Sequence, residues 1–456
     1  MNRKIFLSFL GTSFYHETNY ITEGQKEEDV QPTRFIQEAT IRHFCHDFCQ
    51  NDEIIIFTTE GALNNWQEEE HWNPFNKKNE FYSSLKTRLE SLNLKCSFRN
   101  ENIKDGKTTT ELWEIFEKVF GLLKPGDEIT FDITHGFRTL PMFNMVLINY
   151  AKLLKNITVK GIYYGNWEAR YESGDKVFSP IWDLKDFDLL QEWTNNANIF
   201  IKTGNAMPLA SLIPNNNHSE IKEGLENFSK FILVNRGMDI LKGETMLNLK
   251  NALNNYEEEK QNSPLNPIIT KIIHEFDNYE EDNPMNGFLA ARWAIKNGLI
   301  QQAATLMEEA VTTFVLYEIG QKEHVTDFSK RMKTSAAIVI GSNKEFQHTN
   351  PDSINPNEKD SENKLKTAQE NLVWEKEFIP AIRNLPYKKK LASILSGIKN
   401  SIRNDINHAG YREKPQSFDE LVESTSKRYN ELRKLLLLIK KVELPEITTT
   451  HAPQSL

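Results

Sequence analysis

Cysteine is nearly absent from this sequence. Its 456 residues include three, Cys45, Cys49 and Cys96, which build no disulfide framework and fit a reducing cytoplasm, the expected location. Long apolar runs are missing too. Nothing approaches the roughly 18–20 consecutive apolar residues of a membrane span. The opening stretch, Met1 to Ser13, is basic then apolar like a signal peptide. Tyr15, His16 and Glu17 follow, however, where a cleavage region should be small and bland. A first strand is the better reading. An excess of positive charge is also lacking, since 55 basic residues face 64 acidic ones for a formal −9. That excludes a protein that coats nucleic acid non-specifically but leaves a local RNA site open. There is no G-x-G-x-x-G and no Walker A loop, so a nicotinamide enzyme and a P-loop NTPase lose their main support. His43, Cys45, His46 and Cys49 crowd onto one predicted helix, where their side chains diverge. Structural zinc draws its ligands from two elements, so no metal is expected.

What is present divides in two. Up to about residue 185, short runs rich in Ile and Phe (5–11, 52–59, 94–100, 127–134 and 159–165) alternate with helical patterns near 33–49, 78–92, 109–123 and 141–155. Such alternation predicts βαβ units around a buried parallel sheet, with helices on both faces. Beyond about residue 190 long helical patterns take over, among them 301–319, 388–408 and 417–442. The expected domains are therefore 1–185, α/β, and 186–456, all-α. The polar stretch 341–365 reads as a flexible insertion, and the tail from Pro445 as frayed for want of packing.

In parallel sheets, ligands bind where strands end and helix N-termini begin. Two strand ends are small and polar here. One is Phe9-Leu10-Gly11-Thr12-Ser13. The other is Asp132-Ile133-Thr134-His135-Gly136-Phe137-Arg138-Thr139-Leu140-Pro141, where Gly136 permits a sharp turn and Arg138 adds a positive charge. Thr58 to Gly61 and Gly165-Asn166-Trp167 end two further strands. Hydroxyls, an amide, an imidazole and one arginine suit a phosphodiester or nucleobase better than an apolar metabolite. Alternatively, Gly11 to Ser13 is an ordinary turn, and Arg138 pairs with an acid of its own domain.

A second cluster lies at Ser401-Ile402-Arg403-Asn404-Asp405-Ile406-Asn407-His408-Ala409-Gly410, at the end of a helical pattern. It closes a run from Arg383 that holds Lys388, Lys389, Lys390 and Lys399 and no acidic residue. At about 100° per residue, Arg403 and His408 lie about 140° apart on an ideal helix, whereas Asn404 and His408 share a face. An exposed helix terminus, with His408 near the negative dipole end, would account for the same residues.

Together the two strand-end motifs resemble those of CRISPR-associated Rossmann-fold (CARF) domains, in particular the CARF–HEPN ribonucleases of type III CRISPR systems. The resemblance is strongest at 5–14, 127–142 and 286–410, and 236–285 carries nothing usable. It implies a Rossmann-like CARF domain followed by an all-α HEPN domain, acting as a homodimer or higher homo-oligomer. The implied activator is a cyclic oligoadenylate, tetra-adenylate foremost. Gly11, Thr12, Ser13, Thr134, His135, Gly136, Arg138 and Asn166 are expected to line its site. Arg403-Asn404-x3-His408 has the form of the HEPN nuclease motif. It implies metal-independent cleavage of single-stranded RNA, without a cofactor, by attack of a ribose 2′-hydroxyl on the adjacent phosphate. Alanine 290 to isoleucine 300, continuing through Glu308 and Glu309, resembles the opening helices of that domain. Either glutamate could position Arg403, although a surface acidic pair is the plainer expectation. The alternative function is a non-catalytic sensor that regulates a partner protein.

Overall fold

Alternate residues of each core strand face opposite sides of the sheet, and that period organises the N-terminal unit. A computed structural model describes residues 2–136, 140–213, 218–259, 263–339, 361–411, 413–440 and 442–447. Five neighbouring strands run parallel and make up most of the sheet. They are β1 (Lys4–Phe9), β3 (Glu53–Thr58), β6 (Ser97–Asn102), β7 (Glu128–Asp132) and β8 (Thr158–Gly165). Ile5, Leu7, Phe9, Ile55 and Phe57 bury one face with Ile115, Val119, Leu147 and Ile148. These last belong to α4 (Thr109–Leu122) and α5 (Leu140–Lys155). Phe6, Ile54 and Ile56 bury the other face with Phe35, Ile41, Leu85 and Leu89, from or beside α1 (Ile36–Phe44) and α3 (Leu85–Ser91). Each such side chain contributes roughly 1.5–3 kcal/mol.

The strand order is β2-β10-β8-β7-β1-β3-β6, with β2 at Asn19–Thr22, β10 at Lys176–Asp183, and β9 (Tyr171–Ser173) paired to β10. Chain order reverses at β1, whose neighbours are β3 and β7. The crevice beyond the carboxyl ends of β1 and β7 is therefore the switch point at which open α/β sheets take ligands. The sheet is mixed, because β10 runs antiparallel to β8. A separate hairpin pairs β4 (Glu70–Asn73) with β5 (Lys78–Phe81). Residues 78–81 are thus strand, where the sequence pattern suggests helix, and α2 (Leu63–Gln67) is a further short helix.

Contacts divide the chain into Met1–Gln191 and Glu192–Leu456. Helix α6 (Lys185–Thr203) leads into the second unit, which among the described residues is helical. There follow α7 (Met207–Ala210), α8 (Ser219–Leu233), α9 (Gly237–Lys242), α10 (Glu244–Glu259), α11 (Asn266–Ile273), α12 (Met285–Lys296) and α13 (Ile300–Glu318). Helix α13 is buried along most of its length. Gly287 lets α12 lie close against it, since a Cβ there would sit 2.8 Å from that of Ala310. Next come α14 (Phe328–Val339), α15 (Ser361–Arg383), α16 (Lys388–Ser396), a π-helical stretch (Gly397–Arg403), α17 (Asn404–Asn407) and α18 (Phe418–Lys440).

Two further expectations, for the insertion and the tail, need correction. Of the insertion at 341–365, residues 341–360 lie outside the described residues, and Ser361 to Leu365 open α15. Up to residue 447 the tail is packed, not frayed. Leu444 and Ile447 are buried in the helical core, Tyr429 donates to the Pro445 carbonyl, and Arg433 donates to that of Leu444.

Candidate functional site

The turn after β1 is held from beneath. Gly11 donates its N–H to the Tyr15 hydroxyl at 2.8 Å, and Asn65 donates to the carbonyls of Gly11 and Ser13 at 2.9 and 3.0 Å. A Cβ at Gly11 would lie 2.7 Å from the Tyr15 oxygen, so glycine is required by close approach. Thr12 and Ser13 are exposed, and neither hydroxyl has a hydrogen bond among the described residues.

The end of β7 is a scaffold centred on Asp132, which is fully buried. Its carboxylate accepts from Ser8 Oγ at 2.7 Å, Thr134 N at 3.0 Å and Thr134 Oγ1 at 2.5 Å. Thr134 Oγ1 in turn accepts from Gly165 N at 2.8 Å. Burial raises the Asp132 pKa, and the three donors pull against it. One carboxylate thereby ties together the ends of β1, β7 and β8. The Thr134 hydroxyl is committed to that tie, and the Asn166 oxygen is committed to capping the backbone of Glu168 and Ala169. Both residues shape the crevice more than they offer free groups to it. Gly136 has φ 134°, which side-chain-bearing residues rarely adopt. Arg138 lies outside the described residues.

His135 packs edge-on against Tyr15, with ring centroids 4.9 Å apart. Its Nε2 is shut off from solvent and has no partner among the described residues. Burial pushes its pKa from the usual 6.5 down to about 4, so the ring is neutral at physiological pH. The unfolded chain takes up this proton near pH 6.5 and the folded chain only near 4, so acidification through that window favours unfolding. The stability of the neutral ring is complete above about pH 6.5 and falls by at most about 1.4 kcal/mol per pH unit below it. His135→Asn is expected to flatten that acid slope. Urea midpoints at pH 7 and pH 5, wild type against variant, check it. Asp132→Ala strands Ser8 and Thr134 as donors, and is expected to cost roughly 3 kcal/mol by the same measurement.

In the helical unit the basic run meets a buried acid. Glu308, on α13, is 5% exposed. It receives Arg403 at 2.7 Å and Lys399 at 3.2 Å on its two oxygens. Lys399 also donates to Ser335 Oγ on α14 at 2.7 Å. The surface-pair expectation therefore fails for Glu308 and holds only in part for Glu309, which is half-exposed and pairs with Arg331 at 2.5 Å. The π-helical stretch makes its backbone bonds one residue further along than an α-helix does. Lys399 and Arg403 both reach Glu308 from it. Gly397 admits the Arg428 side chain, whose Nε would lie 2.4 Å from a Cβ there.

Asn404 and His408 are exposed, and among the described residues no hydrogen bond joins either side chain to Arg403. His408 is the capping residue after α17, with Ala409 and Gly410 left-handed behind it. Asp405, 2% exposed, anchors that turn by accepting Gln416 N at 3.1 Å. Arg403 is thus aimed inward by a carboxylate, while Asn404 and His408 point to solvent. No cluster of three or more His, Cys, Asp and Glu suited to a metal occurs among the described residues. Cys45 is buried, Cys49 is exposed, and His43 meets Thr22 Oγ1 at 3.3 Å. No described helix is long and apolar enough to cross a membrane.

Sequence reading missed Asp132 as a scaffold, Tyr15, Asn65, and Lys399 as a partner of Glu308. Only the position of Asp132 inside its motif was a signal.

Residues 5–168 match the family model described as the CARF domain of the CRISPR system endoribonuclease Csx1. Residues 189–283 match the second domain of the CRISPR-associated protein MJ1674. The curated MJ1674 of Methanocaldococcus jannaschii is 25% identical over 350 residues, covering 75% of this chain and 46% of that protein. The chain therefore spans about half the length of the curated relative it matches. Among solved structures, Enterococcus italicus Csm6 bound to cyclic hexa-2′-fluoro-hexa-dAMP aligns over 100% of this chain and 98% of its own. The two share 12% identity, with a TM-score of 0.43.

Proposed function

We propose that the chain, whose residues 5–168 match a CARF-domain model of a CRISPR endoribonuclease, is a ribonuclease of type III CRISPR systems switched on by a cyclic oligoadenylate. The ligand sits over the ends of β1 and β7, with the Gly11–Ser13 turn, His135 and Gly136 around it. Cyclic tetra-adenylate is the first candidate. A ring of repeated nucleotides fits a site shared by two copies related by a two-fold axis.

The observation that carries the nuclease half is the Arg403–Glu308–Lys399 arrangement. A buried carboxylate holds a guanidinium in place inside a motif that also presents an imidazole. In the reaction the ribose 2′-oxygen attacks phosphorus, the bond from phosphorus to the 5′-oxygen breaks, and the 5′-oxygen leaves with a proton. The products are a 2′,3′-cyclic phosphate and a 5′-hydroxyl end. Arg403 stabilises the charge on the phosphorane oxygens through its planar set of donors. His408 supplies or removes a proton, or orients the phosphate, and Asn404 holds neighbouring groups. Arg403 turns inward and His408 outward in one chain, which supports a complete site assembled from two copies of the helical unit.

The test is cleavage of an unstructured single-stranded RNA in EDTA, with cyclic tri-, tetra- and hexa-adenylate added separately. One ring size is expected to raise the rate steeply, and the cut ends to carry cyclic phosphate and 5′-hydroxyl. Protein that binds a ring but cuts no RNA would instead be a sensor that regulates a partner.

A further inference from the structure

Three consecutive lysines, Lys388, Lys389 and Lys390, open α16, with no acidic residue in that first turn and no side-chain cap before it. The pattern works against the helix. Free N–H groups make a helix start positive, so acids stabilise it and cations oppose it. Glu318 does not offset them, because it accepts the Tyr387 hydroxyl at 2.9 Å and pairs with Lys440 of α18 at 2.5 Å. Lys389 and Lys390 are exposed and make no ion pair among the described residues. Charges that break a local rule without a structural return mark a functional position.

The lysines head a polar stripe. Ser393, Asn400, Ser401 and Asn404 are exposed after them along α16, the π-helical stretch and α17, and the line ends at His408. Where Gly397 interrupts it, the Arg428 side chain of α18 lies across the space that a Cβ would take. Arg428 also holds Glu431 at 2.8 Å. Asp405, the acid within the line, is 2% exposed and accepts Gln416 N. The stripe therefore presents ammonium groups, hydroxyls and amides, and no carboxylate. These are the groups that bind a sugar-phosphate backbone. From Lys389 to Asn404 the chain has no aromatic residue on which a base could stack, so the contacts suit a backbone of any sequence. Lys390 stands 14 residues before Asn404, about 20 Å along the helix at about 1.5 Å per residue.

We infer that this stripe is the track that carries a single strand of RNA to Arg403 and His408, with Lys389 and Lys390 gripping phosphates about 20 Å from the cut. What the track serves rests on the ribonuclease reading, but that it binds the strand does not.

The experiment follows binding of the full-length protein to a labelled 2′-O-methyl RNA by fluorescence anisotropy over a range of salt concentrations, with and without cyclic tetra-adenylate. Such a strand has no free 2′-hydroxyl and is not cut. Lys389→Gln with Lys390→Gln is expected to reduce the slope of log affinity against log salt by about 1.4, two contacts at about 0.7 each, and to weaken binding about tenfold near physiological salt. Lys86→Gln with Lys176→Gln removes two exposed charges from the N-terminal unit and is expected to keep the wild-type slope. The stripe variant is expected to unfold at a slightly higher urea concentration than wild type, because its lysines oppose the helix start. In cleavage its KM should rise about tenfold while kcat stays within twofold, the mark of lost uniform binding. Wild type that binds no RNA, a slope that the stripe variant leaves unchanged, or an equal loss in the control pair overturns the inference. So does a fall in kcat at constant KM, or a changed oligomeric state of the stripe variant by light scattering, which would make this face a contact between copies. Wild type that binds RNA through the stripe but cuts none would fail the ribonuclease reading and leave the track standing.

Discussion

Arg403→Ala is expected to lower activated RNA cleavage by a factor of about 10²–10³ or more, with cyclic oligoadenylate binding unchanged. The lower bound is the effect of losing one donor to a developing oxyanion. Arg403 brings several donors and a full charge, held 2.7 Å from the buried Glu308. Arg403→Lys keeps the charge and loses the fork, so it recovers only a small part of the rate. Single-turnover cleavage at saturating activator measures the loss, and isothermal titration shows whether ligand binding survives. An alanine variant that still cuts at the wild-type rate would remove Arg403 from the chemistry.

Glu308→Ala has the next largest expected effect. Glu308 is the common acceptor of Lys399 and Arg403. Without it two cations face each other across the site and Arg403 loses its orientation. Cleavage should fall by about 10²-fold, the scale on which a 1 Å misplacement acts. Stability should fall by roughly 1–3 kcal/mol, less than for a fully buried pair because both cations are partly solvated. Lys399→Met in the Glu308→Ala background relieves the repulsion. The double-mutant cycle should therefore show coupling of roughly 0.5–3 kcal/mol in the unfolding midpoint. Additive effects would mean that the two residues do not share the carboxylate.

The five parallel strands were legible because their Ile- and Phe-rich runs have few other folded fates. Strands β2, β9 and β10 were not. Asn19–Thr22 and Tyr171–Ser173 are short, and Lys176–Asp183 contains Pro180, which argues against a strand when read alone. Lys78–Phe81 looks helical by composition and becomes a strand only through Glu70, Trp72 and their pairing across the hairpin. The proposed catalytic motif stood out in the sequence because Arg403, Asn404 and His408 lie within one turn and a half of chain. Glu308 was ambiguous because it stands 95 residues from the arginine it holds. Adjacent acids on a helix read the same whether one of them is buried or neither is. Asp132 sat in plain view within its motif, yet its role as the tie between three strand ends depends on Ser8 and Gly165, far away in sequence.

On the proposed function, a ring bound over the ends of β1 and β7 controls what Arg403 does. One titration addresses it: cyclic tetra-adenylate added to wild type and to His135→Ala, with occupancy and RNA cleavage read from the same samples. The two half-points should coincide in wild type and move together, by the same factor, in the variant. Cleavage that is full before any ring is added, or whose half-point stays put while occupancy shifts, would contradict the account.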